Sequence, residues 1–134
     1  MCKVSRMLGM LLLFLLAAVI LRAQPPTAWQ IPPDAQDLKS PLSPTPDLLK
    51  KGRAVFTAHC QKCHGPEGKG NGPDSDKDHP AANLTESKAS ANTDGVLFYK
   101  VWNGRVRPKM PAFKSELTKD EVWQVVEYAK TLRQ

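Results

Sequence analysis

The sequence predicts an all-α fold, one small domain with attachments in a chain of 134 residues. Three observations lead there. Three stretches open on helix-capping residues and continue with apolar side chains at helical spacing. No stretch alternates apolar and polar residues as a half-buried strand would, and there is no internal repeat. Between the first two helical stretches, Gly65 to Thr93 has no apolar periodicity and is dense in Gly, Pro, Asp, Asn and Ser. So long a loop in a compact domain is either functional or disordered. Wrapping over a large buried group is the functional case.

Taken in order, the chain opens on Lys3 and Arg6 ahead of an apolar run from Leu8 to Leu21, interrupted only by Gly9. Leu21-Arg22-Ala23 is an imperfect cleavage site. The 14 residues of the run fall short of the roughly 20 that span a bilayer. Residues 1–23 therefore read as a signal peptide cleaved after Ala23, which makes the protein exported and periplasmic. The alternative, kept open by Arg22, is a signal anchor that tethers it to the membrane by residues 8–21. Cys2 precedes the run and is not placed as a lipoprotein attachment site. Cleavage removes Lys3, Arg6 and Arg22 and no acid, so the formal charge falls from +6 to +3. No long basic run is interleaved with aromatics, which argues against nucleic acid binding.

Residues 24–45 form a proline-rich linker or arm. Seven of the twelve prolines lie between Gln24 and Pro46. Such density favours extended, polyproline-like backbone. The segment reads equally as a semi-rigid tether and as an arm that packs Trp29 and Ile31 onto the domain.

The domain proper is 46–134. Thr45-Pro46-Asp47 starts the first helix with a capping hydroxyl, a proline at the first helical position and an acid in the first turn. Leu48, Gly52, Val55, Phe56 and His59 fall on one face. Gly52 costs about 1 kcal/mol against alanine inside a helix, so it marks a close approach by another helix.

That helix runs into Cys60-Gln61-Lys62-Cys63-His64, a C-x-x-C-H. This is the attachment signature of a c-type haem, in which each thiol adds to one vinyl group and the histidine ligates the iron. Residues three apart on a helical turn lie on the same side, so both sulfurs reach one porphyrin edge. Two other readings stand beside it. Cys60, Cys63, His59 and His64 make a four-ligand zinc set, and C-x-x-C also occurs as a redox thiol pair, though without the βαβ context expected here. In an oxidising compartment two thiols so close are prone to a disulfide, and thioether bonds remove that hazard.

Thr93-Asp94 caps a second helix, Gly95 to Asn103, which Gly104 ends. Thr118-Lys119-Asp120-Glu121 is a capping box. The third helix follows it, with Val122, Val125, Tyr128 or Ala129, and Leu132 on one face and charges that complement its dipole.

From about residue 46 to 132 the chain resembles the small class I cytochromes c. Cys-x-x-Cys-His, a Gly-rich loop, Gly95-Val96-Leu97-Phe98-Tyr99-Lys100, Met110-Pro111-Ala112-Phe113 and Trp123-Gln124-Val125-Val126-Glu127-Tyr128 follow in the family's order. The resemblance implies three main helices and long loops wrapped around one covalently attached haem c. It implies Cys60 and Cys63 as thioether donors, His64 as proximal ligand and Met110 as distal ligand. It implies that the Pro73 carbonyl accepts the hydrogen bond from His64 Nδ1, and that Gly52 and Phe56 pack on Tyr128. Met110 has support of its own. The other methionines, Met1, Met7 and Met10, lie in the targeting segment, and Pro108 and Pro111 stiffen the loop around Met110. His79 is its rival and reads as a solvated loop histidine. His59 reads as a capping or surface group.

Lys62, Lys69, Lys100, Arg105, Arg107 and Lys109 lie near these motifs in sequence. They read as a basic rim that steers a redox partner with an acidic docking surface, or as solvated cations with an arginine or two on the haem propionates. The resulting expectation is an electron transfer protein, not an enzyme. It is a monomer or a subunit of a complex that shuttles single electrons between redox partners of a respiratory-type chain. The alternatives are a haem subunit of a larger oxidoreductase, a gas-binding or peroxide-reducing protein with a labile methionine, and a zinc-stabilised interaction module.

Overall fold

A computed structural model describes residues 29–133 of the chain. The expected targeting segment with its cleavage site, Cys2 and the alternative anchor at residues 8–21 lie outside the described residues. In chain order the helices are α1 (Pro33–Asp37), α2 (Pro46–His59), α3 (Gln61–His64), α4 (Ser87–Ser90), α5 (Asp94–Asn103) and α6 (Lys119–Thr131). Among the described residues the only ladder pairing outside helices is an isolated antiparallel bridge between Arg105 and Met110. The fold is all-α, as the sequence predicts. None of the described helices is long and apolar enough to cross a membrane.

Local signals set the helix starts. The Thr45 hydroxyl accepts from the Leu48 amide at 3.3 Å, and the Thr93 hydroxyl from Val96 at 3.3 Å. At α6 both halves of the capping box form: the Thr118 hydroxyl accepts from Glu121 N, and the Glu121 carboxylate accepts from Thr118 N at 2.8 Å. Helix α5 ends on Gly104, whose φ of +57° and ψ of −168° suit glycine.

Helices α2 and α6 cross in close contact at Gly52. A Cβ there would strike the Gln124 carbonyl and come within 2.8 Å of Tyr128 Cβ. One turn on, the Phe56 ring meets Tyr128 at a centroid distance of 5.4 Å. Phe113, Leu117, Val122, Trp123 and Val126 form the core, with Val55, Leu97, Phe98, Val101 and Trp102 partly buried against it. Full burial of Phe56, Val122 and Val126 contributes about 1.5–3 kcal/mol each. Helix α6 buries more than the expected stripe: Trp123, Val126 and Glu127 join Val122 and Val125. Glu127, only 3% exposed, is paired with Lys130 at 3.0 Å.

Two local expectations are corrected. The proline-rich segment is not extended throughout: α1 occupies Pro33–Asp37, with proline at its first position, where the missing N–H costs nothing. The Gly65–Thr93 segment contains the four-residue α4. Residues 29–45 lie along α5. Gly95 N donates to Leu38 O at 3.0 Å, Thr93 Oγ1 to Gln36 O at 2.9 Å, and Ser40 N to Asp94 Oδ2 at 3.3 Å. Gly95 permits this, because a Cβ on it would strike the Ala35 carbonyl.

Candidate functional site

Cys60 closes α2, its amide donating to Phe56 O at 2.9 Å, and α3 starts at the next residue. Cys63 N and His64 N both donate back to Cys60 O, at 3.2 and 2.9 Å. The C-x-x-C-H is therefore a helical turn, with both sulfurs as free thiols. Burial first, and then the neighbouring Cys63, push the Cys60 thiol up to about 12, so it stays neutral at physiological pH. The following loop clamps the turn: Gly70 N donates to His64 O at 2.7 Å, Gly72 N to Cys63 O at 3.1 Å and Asp74 N to Lys62 O at 2.8 Å.

His64 Nδ1 lies 2.9 Å from the Ala82 carbonyl. A carbonyl only accepts, so Nδ1 carries the proton and Nε2 keeps its lone pair. Burial, opposed by this hydrogen bond, pulls His64 below its ordinary value, which favours the neutral imidazole that ligates metal. The expectation that Pro73 supplies the acceptor is corrected here. Gly72 lies tight against the Lys62 carbonyl, which puts Pro73 beside α3, and a later part of the loop brings Ala82 to the ring. Sequence reasoning missed Ala82 because its contribution is a backbone atom. The nearest local signal is Asn83, whose side chain accepts from Thr85 N at 3.0 Å and turns the chain just after it.

Met110 is half-buried in a tight loop: its amide donates to Arg105 O at 3.0 Å, and Arg105 N donates to Met110 O at 2.8 Å. With Asn103, Arg105, Val106, Lys109, Pro111 and Ala112 it lines a shallow pocket. Beyond it, Phe113 N donates to Val101 O at 3.1 Å, and the Phe113 ring meets His59 edge-on at 5.9 Å. The methionine loop and the cysteine turn are thus held by adjacent contacts, since His59 precedes Cys60.

The donor chemistry fits a c-type haem: two free thiols one turn apart, an adjacent histidine with an oriented free nitrogen, and a thioether on a stiff loop. The surroundings fit as well. Leu97, Phe98, Val101 and Trp102 of α5 remain only half-buried, which leaves apolar surface for a large flat group. The zinc set does not form. His59 faces Glu116 at 3.6 Å and His64 faces Ala82, and no cluster of three or more His, Cys, Asp or Glu among the described residues suits a metal ion. His79 is exposed in the loop, its amide on Asp76 Oδ1 at 2.9 Å.

Four of the six cations in the expected rim are engaged within the chain. Lys62 pairs with Asp74 at 3.9 Å and Lys69 with Glu67 at 2.6 Å. Lys100 donates to Asn92 Oδ1 at 2.6 Å and Arg105 Nε to Pro108 O at 2.9 Å. Arg107 and Lys109 are exposed and follow Val106, which is 85% exposed.

Residues 47–128 match the family model of cytochrome c oxidase, cbb3-type, subunit III. Among solved structures the chain is similar to one from the Kuenenia stuttgartiensis reducing HAO-like protein complex Kustc0457/Kustc0458. That match has 30% identity and a TM-score of 0.59, and covers 70% of this chain and 47% of the other. The chain thus spans about half the length of that relative. It is also similar to the KustC0563 c-type cytochrome, at 25% identity and a TM-score of 0.54, covering 62% of this chain and 98% of that one. No curated protein matches.

Proposed function

The chain belongs to the cbb3-type cytochrome c oxidase subunit III family and is a class I c-type cytochrome, and from that premise we propose that it is a non-enzymatic, single-electron carrier with His/Met ligation. The observation that carries the reading is the His64 ring, whose Nδ1 the Ala82 carbonyl holds so that Nε2 keeps its lone pair, directly after the two free cysteines of one helical turn. Cys60 and Cys63 would hold one haem c as thioethers, with His64 and Met110 as axial ligands. When bound, the haem supplies a one-electron couple, and a thioether ligand raises its potential. The protein supplies orientation and exclusion. Ala82 locks the imidazole, and the Arg105–Met110 pairing fixes the sulfur-bearing loop. With His64 and Met110 both holding the iron, no position would be left for oxygen or peroxide.

Export to the periplasm, with residues 1–23 as signal peptide or anchor, belongs to the same reading, since c-type attachment suits an oxidising compartment. The partner would be a redox protein with an acidic patch, met by the exposed Arg107 and Lys109. Service as a subunit of a larger redox assembly is a second reading, supported by the similarity to a chain from a protein complex.

Absorption spectra before and after acid-acetone extraction test the assignment. Sharp reduced-state haem bands that stay with the polypeptide are expected. So is a weak far-red band in the oxidised form that disappears in Met110→Ala. A colourless protein after co-expression with haem-attachment machinery overturns the reading.

A further inference from the structure

The half-buried Trp29 ring, at the start of the segment that lies along α5, meets two cations at once. Arg105 Cζ lies 4.6 Å and Lys100 Nζ 5.3 Å from its centroid. Two like charges at one ring repel, and burial followed by the Arg105 charge holds Lys100 below its ordinary value. The indole face offsets that repulsion by attracting both. Arg105 is also the residue whose N–H and C=O close the bridge with Met110, at 2.8 and 3.0 Å, while its Nε holds the Pro108 carbonyl at 2.9 Å. One side chain therefore joins the N-terminal segment to the loop that presents the methionine. The segment is anchored independently by α1 and by the hydrogen bonds from Gly95, Thr93 and Ser40, so Trp29 is delivered by an ordered strap.

We propose that residues 29–45 form a strap whose Trp29 holds the Met110 loop closed through Arg105, so that Trp29 is a positioning residue for the methionine. The inference rests on the reading of Met110 as a ligand, yet the loop itself can be followed without it. The strap adds a restraint to a ligand held otherwise by a short loop. Its release would let the thioether leave and admit an external ligand, by an opening equilibrium.

The test uses the full-length haem protein and its Trp29→Ala, Trp29→Phe, Arg105→Gln and Met110→Ala variants, with two readouts. The first is hydrogen exchange at the Arg105 and Met110 amides, which form the bridge whatever ligates the iron. The second is the rate of cyanide binding to the oxidised form. Loss of one cation–π contact should raise both by about fivefold in Trp29→Ala. Trp29→Phe should restore most of the difference, and Arg105→Gln, which also loses the Nε bond to the Pro108 carbonyl, should raise both at least as much, with Trp29→Ala adding nothing further in the double variant. Unchanged exchange at the two amides in Trp29→Ala and Arg105→Gln overturns the strap. Faster exchange with unchanged cyanide binding, where Met110→Ala itself binds cyanide fast, overturns the positioning role. Met110→Ala leaving cyanide binding unchanged would instead sink the ligation reading, while the amide exchange still decides the strap.

Discussion

With its Nδ1–H on the Ala82 carbonyl, His64 cannot rotate without giving up that hydrogen bond, a loss that typically costs about 0.5–1.5 kcal/mol. The acceptor is held by the loop behind it. Gly70, at φ +78°, lies so close that a Cβ would strike the Ala81 carbonyl. Opposite outcomes follow for two neighbouring positions. Pro73→Ala should leave the His64 Nδ1–H resonance of the reduced protein where it is, because Pro73 does not hold the ring. Gly70→Ala should shift that resonance and lower the unfolding free energy by about 2 kcal/mol, combining a strained φ with displacement of the 81–82 backbone. NMR of both variants checks the pair; a shift in Pro73→Ala alone would restore the proline as acceptor. The motif residues were legible because their chemistry is in their side chains and their spacing is local. Ala82 was not, since a carbonyl eighteen residues from His64 leaves no mark in composition or period.

At the scale of the helices, Gly52 sets a contest between two terms of known size. Alanine is favoured over glycine inside a helix by about 1 kcal/mol. Against that, the new Cβ would strike the Gln124 carbonyl and come within 2.8 Å of Tyr128 Cβ. Neither neighbour can swing away, so α2 and α6 must part, and overpacking of this kind costs about 1–3 kcal/mol or more. The clash should win. Gly52→Ala is expected to cost about 1 kcal/mol of net stability, read as a lower denaturant midpoint at unchanged m-value; a gain in stability would mean that the helices have room to part at little cost. The starts of α2, α5 and α6 were readable because a cap is a contact three residues long. Helix α1 was masked by the prolines around it, although Pro33 at its first position is compatible with a helix. The burial of Trp123, Val126 and Glu127 was hidden because α6 is covered by both α2 and α5, which widens its inner face beyond a single stripe.

The strap, α5 and α6 meet at Asp94, and there the whole molecule acquires a pH dependence. Asp94 Oδ1 takes a 2.9 Å ion pair from Lys130, and its Oδ2 accepts from Ser40 N. Lys130 in turn reaches the buried Glu127. Burial pushes Asp94 up, but the Lys130 and Ser40 hydrogen bonds, helped by the Lys130 and Lys39 charges, bring it below 3.8. Burial likewise pulls Lys130 down, and the hydrogen bonds to Asp94 and Glu127 outweigh it and hold the lysine above 10.5. A lowered acid stabilises the fold fully above its unfolded value and loses that contribution as pH falls through its folded one; a raised base is the mirror image. The triad should therefore contribute a constant amount from about pH 5 to 9, fade below 3.8 as Asp94 protonates, and fade above 10.5 as Lys130 loses its proton. Urea unfolding of the wild type and Asp94→Asn from pH 2.5 to 7 checks the acid side. The wild-type advantage should be greatest at neutral pH and shrink below 3.8, and exchange at the Gly95 amide, which donates to Leu38, should rise in the variant as the strap loosens. An advantage that stays constant down to the lowest pH would mean that the carboxylate charge does not join the three elements.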